Sequence, residues 1–210
     1  MEEEQIEMTV KIVLIGDSSV GKTNIMSKYL KNMFLMNTKA TIGVEFSQKV
    51  FKIDGHNIKA QIWDTAGTEK YKAVAGAYYK GSKGGFVVYD ITRKETFDSV
   101  ERWVNDLKVL AHKNLNLILL GNKSDLEDKR EVLKEQGEEK AKSLGCAFLE
   151  TSALSGDNIE KAFEIMMEEV YKRSANEKSE NNDSEDLENG EDISLSKKNS
   201  ITNEEKKCCT

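Results

Sequence analysis

Between Val10 and about Arg173, short apolar runs alternate with longer segments whose apolar residues recur every three or four positions. Runs of that first kind read as strands, at residues 10–15, 45–53, 57–63, 85–90, 115–121 and 147–151. The amphipathic segments read as helices at about 22–30, 96–111, 133–144 and 159–173. This alternation predicts an α/β fold of βαβ units: a six-stranded, mostly parallel sheet with one antiparallel edge strand and helices on both faces. Asp54-Gly55, between the second and third strands, is the dipeptide that favours a tight hairpin, so those two strands supply the antiparallel pair. The last helix repeats Ile159, Ala162, Phe163, Met166, Met167 and Val170 on one face, a stripe suited to core packing. Asp157-x-x-Glu160 at its start offers an acidic analogue of a capping box.

Past Arg173 the periodicity stops and Ser, Asn, Glu and Asp dominate. The expected organisation is a flexible N-terminus at 1–8, one folded domain at 9–173 and a disordered tail at 174–210, because the tail's composition buries too little apolar surface to offset chain entropy. Of the net charge of −6, the segment 174–207 holds ten acids against five lysines, which leaves the folded part near neutral. No basic stripe points to nucleic acid. Three cysteines, two of them adjacent near the end, do not make a disulfide framework, and no apolar run follows Met1, so a cytosolic protein is expected. No run reaches the ~20 apolar residues of a membrane span, so any membrane contact is made by attachment.

Gly16-Asp17-Ser18-Ser19-Val20-Gly21-Lys22-Thr23 follows a strand and opens a helix, the context in which this spacing cradles phosphates. Glycines at 16 and 21 let the backbone curl so that successive N–H groups converge on a β-phosphate at a positive helix end. Lys22 adds a charge reaching the β- and γ-oxygens, and Thr23 offers a hydroxyl to Mg²⁺. Ser18, Ser19, Val20, Gly21, Lys22, Thr23 and Asn24 are accordingly candidate nucleotide contacts. Asp64, in Trp63-Asp64-Thr65-Ala66-Gly67, ends a strand that points to the same sheet edge, where ligands of open α/β sheets bind. It is a candidate Mg²⁺ ligand, directly or through water, and Gly67 could bring an N–H to the γ-phosphate.

Asn122-Lys123-Ser124-Asp125 follows the fifth strand to that edge. A carboxylate at 125 can accept both N–H donors of guanine's Watson–Crick edge, a pair that adenine lacks. After the sixth strand, in Glu150-Thr151-Ser152-Ala153, residues Ser152 and Ala153 with the following Leu154 are placed to present a backbone N–H to the base. A P-loop ATPase or metabolite kinase is disfavoured by this segment at 122–125 and by the lack of an insertion for a second substrate.

In this order the segments resemble the Ras superfamily of small GTPases. Thr41-Ile42-Gly43-Val44-Glu45-Phe46, Lys59-Ala60-Gln61-Ile62-Trp63 and Tyr78-Tyr79-Lys80-Gly81 are similar to Rab-family stretches, over about residues 8 to 173. Val100-Glu101-Arg102-Trp103 and Glu150-Thr151-Ser152-Ala153-Leu154 resemble the recycling-endosome branch. The resemblance implies that Thr41 closes over the nucleotide with its hydroxyl on Mg²⁺, that Phe34 packs at the guanine edge and Lys123 along its face, and that Phe46, Trp63 and Tyr78 form an effector-binding aromatic triad. It implies a switch with GTP or GDP as bound nucleotide, in which Thr41 and Gly67 latch onto the γ-phosphate. Its catalytic set is Lys22, Thr41, Gly67 and position 68. There, relatives carry a glutamine that orients the attacking water; this chain has Thr68. A hydroxyl is too short for that geometry, so intrinsic hydrolysis is expected to be slow even against roughly 10⁻⁴ s⁻¹. Activators of the TBC type resemble a complete external kit, supplying an arginine and a glutamine.

Cys208-Cys209-Thr210 resembles the Rab double-cysteine terminus, with a geranylgeranyl group on each thiol and hence a stable anchor to endomembranes. The partners so implied are an exchange factor, a GTPase-activating protein, a GDP-dissociation inhibitor, the prenylation escort machinery and GTP-state effectors. The other reading left open is a binding module locked on GTP, in which Thr68 has abolished turnover.

Overall fold

The structure is a computed structural model that describes residues 5–36, 40–67 and 72–188. The chain divides into two compact units after Ser174, and the site lies entirely in the first, residues 1–174.

Six strands form one sheet: β1 (Met8–Ile15), β2 (Val44–Ile53), β3 (His56–Thr65), β4 (Gly84–Asp90), β5 (Asn116–Asn122) and β6 (Ala147–Thr151), in the order β2-β3-β1-β4-β5-β6. Only β2 runs antiparallel to its neighbour. Its hairpin closes with Ile53 opposite His56, and both turn residues adopt positive φ, 50° at Asp54 and 85° at Gly55, the geometry that matches strand twist. Successive side chains of β1 go to opposite faces. Val10, Ile12 and Leu14 join a core with α1 (Lys22–Lys31) and α6 (Ile159–Glu188), whose Ile159, Ala162, Phe163, Met166, Met167 and Val170 are all buried there. Val13 and Ile15 join a second core with α3 (Lys94–Asp98), α4 (Val100–Leu110) and α5 (Lys134–Leu144). With both faces covered, the central strands carry long apolar runs, as at residues 12–15 of β1 and 86–89 of β4.

The structure departs from the sequence expectations in five places. The expected helix at 96–111 starts earlier and is interrupted at Ser99, whose hydroxyl donates back to the Glu95 carbonyl at 3.1 Å, a bond that bends helices. Helix α2 (Lys72–Tyr79) carries no sequence signal, being two turns of mostly small residues and too short to show a stripe. No capping box forms at α6: the Asp157 carboxylate instead accepts the Ser155 hydroxyl at 2.7 Å. Helix α6 runs on to Glu188, beyond the end expected at 173, since extending a helix already nucleated by its packed part costs far less than starting one. Finally, part of the expected flexible N-terminus is tied down, with β1 starting at Met8 and the Glu7 N–H bonded to the Asn57 carbonyl at 3.0 Å. No helix among the described residues is long and apolar enough to cross a membrane.

Candidate functional site

The C-terminal ends of β1, β3, β4, β5 and β6 deliver five loops to one edge of the sheet, around a cleft of about 530 Å³. Gly16 turns the chain out of β1 at φ 139°, and its Cα lies so close to β4 that a Cβ would fall 2.1 Å from the Val88 carbonyl oxygen. Lys22 folds back over the loop it ends: its ammonium donates to the carbonyls of Gly16 and Asp17, each at 2.8 Å, and the residue is 5% exposed. Burial lowers its pKa to about 8 against the opposing pull of Asp64 and Asp17, so the loop holds a poorly solvated cation with unused capacity for an anion.

Thr23, Thr41 and Asp64 meet at one point. The Thr23 hydroxyl donates to Asp64 Oδ2 at 2.5 Å and lies 3.0 Å from the Thr41 hydroxyl. Asp64 is fully buried, and its other oxygen, Oδ1, has no hydrogen-bond partner among the described residues. Burial raises its pKa to about 6 although the Thr23 bond and Lys22 pull the other way. An orphaned buried carboxylate oxygen is costly, and two hydroxyls with a carboxylate make an all-oxygen donor set of the kind a hard cation takes. These residues fit Mg²⁺.

Asn122 joins the two halves of the cleft. Its Nδ2 donates to the Val20 carbonyl at 2.8 Å, while its Oδ1 accepts the Ala153 N–H and the Thr151 hydroxyl, each at 3.3 Å. Gly21, at φ 102°, is what lets that amide in, because a Cβ there would sit 2.2 Å from Nδ2. Asp125 is held by the Ser152 hydroxyl, 2.5 Å from its Oδ1. Lys123, itself at φ 70°, pairs with the buried carboxylate of Asp90 at 2.5 Å. Burial alone would raise the Asp90 pKa, but the bonds from Lys123 and Thr92 outweigh it and hold the group ionised.

Of the expected nucleotide contacts, Ser18, Ser19, Gly21, Lys22, Thr23, Asn24, Phe34, Thr41, Gly67, Asn122, Lys123, Asp125, Ala153 and Leu154 line the cleft. Val20 and Ser152 do not: the Val20 side chain is buried in the core, and Ser152 spends its hydroxyl on Asp125 and its N–H on the Asp157 carbonyl at 3.2 Å. Asn24 also works at one remove, its amide pairing with both backbone groups of Leu35 and so fixing the loop that carries Phe34. Sequence reasoning missed Leu35, Met36, Ala40 and Leu126 in the cleft wall and the Arg93 guanidinium on the Ser18 carbonyl at 3.0 Å. Position in the loop between Phe34 and Thr41 was a usable signal for the first three; nothing local marks Arg93. Thr68, Cys208 and Cys209 lie outside the described residues.

Beside the cleft, Phe46, Trp63 and Tyr78 are contiguous, with ring centroids 4.7 and 5.4 Å apart in turn. Phe46 is 44% exposed, and the Trp63 Nε1 has no acceptor among the described residues.

The model of the Ras family matches residues 11–172. The chain belongs to that family, in its Rab branch. Among relatives of this GTPase, Ras-related protein RABA2d of Arabidopsis thaliana is 48% identical over 80% of this chain and 78% of its own. Ras-related protein Rab11C of Lotus japonicus is 50% identical over 77% and 74%. Ras-related protein RABA2a of Arabidopsis thaliana aligns over 99% of the chain and 97% of its own at 42% identity. The chain groups with these recycling-endosome-type Rab proteins, and the six-stranded sheet is that of a Ras-like P-loop GTPase.

Proposed function

We propose that this Rab GTPase holds GTP or GDP with Mg²⁺ in the cleft and cycles between a GTP state that recruits effectors on the cytoplasmic face of endomembranes and a GDP state that releases them, so regulating vesicle traffic. The observation that carries the reading is the approach of three segments at one point. A Cβ on Gly67 would fall 2.4 Å from the Asp17 carbonyl carbon, and the Gly43 carbonyl accepts the Ala66 N–H at 3.0 Å. The backbone after Thr41 and the backbone at Gly67 are thus braced on each other and on the phosphate loop, where a terminal phosphate can hold or release both.

In this reading Lys22 and the amides of residues 18–23 neutralise the phosphates. Asp125 accepts from the guanine edge, Lys123 and Phe34 flank the base, and Ala153 and Leu154 wall it in. Thr23, Thr41 and Asp64 would hold Mg²⁺, which when bound supplies positive charge against the phosphate oxygens. The aromatic triad, with its exposed Phe46, offers effectors an apolar anchor. The two terminal cysteines carry geranylgeranyl groups, with an escort for their attachment, a GDP-dissociation inhibitor for the cytosolic pool, an exchange factor and an activating protein completing the cycle.

Thr68 sets the rate. Its hydroxyl cannot span to the attacking water as a glutamine amide does, so the GTP state is long-lived until an activator supplies the missing groups. Single-turnover hydrolysis tests this. Thr68→Gln is expected to hydrolyse GTP at least about tenfold faster than the native chain without activator. Equal rates would remove the slow-enzyme reading, and no decay of bound GTP even with an activator would favour the GTP-locked module.

A further inference from the structure

On the opposite edge of the sheet, where β5 and β6 begin, a second cleft of about 430 Å³ opens between these strands and helices α5 and α6. Its volume falls in the roughly 300–1,000 Å³ range of small-molecule sites. Nothing in the nucleotide chemistry uses it. Its floor is apolar, including the buried Ile118 and Met166. Its rim is cationic: Lys108, Lys142 and Arg173 stand around it with Glu169 as the lone carboxylate, in a chain whose net charge is −6. None of the three cations has an ion-pair partner among the described residues. Asn116, in the wall, is 5% exposed, and its Nδ2 finds no acceptor among the described residues.

We infer that this cleft is a ligand site for a phosphate monoester with a small apolar body. Three cations against one carboxylate leave two positive charges, which match a dianion; a neutral ligand would leave them unanswered. The apolar floor takes the body of the ligand. The source of the ester, free in solution or the headgroup of a lipid, shares this chemistry and is separated below.

Cys146 lines the cleft and is half-buried, so an occupant shields it. The test uses the full chain with Cys208→Ser and Cys209→Ser, which leaves Cys146 as the sole cysteine, loaded with GDP and Mg²⁺ so that the nucleotide cleft is filled. The rate of iodoacetamide alkylation at Cys146 is read by mass spectrometry. Phenyl phosphate is expected to slow it saturably, benzyl alcohol is not, and the charge-reversed variant K142E/R173E is expected to need roughly tenfold more phenyl phosphate per reversed charge. Both residues are exposed at the rim, so the variant is expected to keep its fold, checked by its melting temperature. Protection by phenyl phosphate assigns a free ester. Protection only by phosphatidylcholine vesicles containing phosphatidic acid, absent with plain phosphatidylcholine, assigns a lipid headgroup. Equal protection by benzyl alcohol, undiminished protection in the charge-reversed variant, or no protection by either phosphate source would overturn the proposal.

Discussion

Gly21→Ala tests how the two halves of the nucleotide cleft are joined. At φ 102° the alanine meets strain of about 1–2 kcal/mol, because L-residues avoid left-handed backbone. Its Cβ would also stand 2.2 Å from Asn122 Nδ2, so the amide must swing away and give up its bond to the Val20 carbonyl. A buried hydrogen bond lost in this way costs about 1–3 kcal/mol. The sum, about 3 kcal/mol, corresponds to roughly 100-fold in affinity. The assay is the dissociation rate of a fluorescent GDP analogue in the presence of Mg²⁺, repeated in an Asn122→Ala background. There the amide is already gone, so Gly21→Ala should retain only its strain cost, and the cycle should show a coupling of about 1–2 kcal/mol. If Gly21→Ala releases GDP within twofold of the native chain, or costs as much in the Asn122→Ala background, the account of this joint is wrong.

Asp64 gives a pH dependence. Its pKa is raised to about 6 from 3.8, so its contribution to the stability of the metal-free protein is complete below the unfolded value and is lost as pH rises through about 6. Mg²⁺ requires the ionised form, so the stabilisation that Mg²⁺ adds to the GDP complex should grow as pH passes upward through about 6, and Asp64→Asn should flatten that rise; melting temperatures with and without Mg²⁺ check both. Trp103 Nε1 and the Arg102 guanidinium both donate to Asp17 Oδ1, at 2.9 and 3.0 Å, steadying the phosphate loop from α4. Trp103→Phe keeps the ring and removes one of these bonds, worth about 1.5–3 kcal/mol to a charged acceptor. GDP release should therefore quicken by about tenfold or more, as read by stopped-flow fluorescence. Replacing Cys208 and Cys209 with serine should move the protein from membrane pellet to supernatant on fractionation of cells.

Most of what positions the site is written locally. The apolar runs that make β1, β4 and β5 also deliver residues 16–23, 90 and 122–125 to one edge, because parallel strands under helices leave their C-terminal ends open. The Asp54-Gly55 turn encodes its own hairpin through positive φ. What could not be read depends on partners distant in sequence. Asp17 looks like an ordinary loop acid until α4 brings up Trp103, and Arg93 carries no mark of its reach to Ser18. Val20 contributes more than a loop amide: its side chain is buried in the core and its carbonyl accepts from Asn122, a partner 102 residues away that nothing local announces. Ser99 is invisible to a periodicity argument, as it breaks a helix without breaking its stripe.

The most direct test of the central claim is nucleotide selectivity at Asp125. Protein stripped with a chelator and reloaded with Mg²⁺ and labelled GDP should retain the label against ADP in ~10⁴-fold excess, and Asp125→Ala should lose that preference. Displacement of GDP by an equal concentration of ADP, or unchanged selectivity in Asp125→Ala, would contradict the assignment of this cleft to guanine.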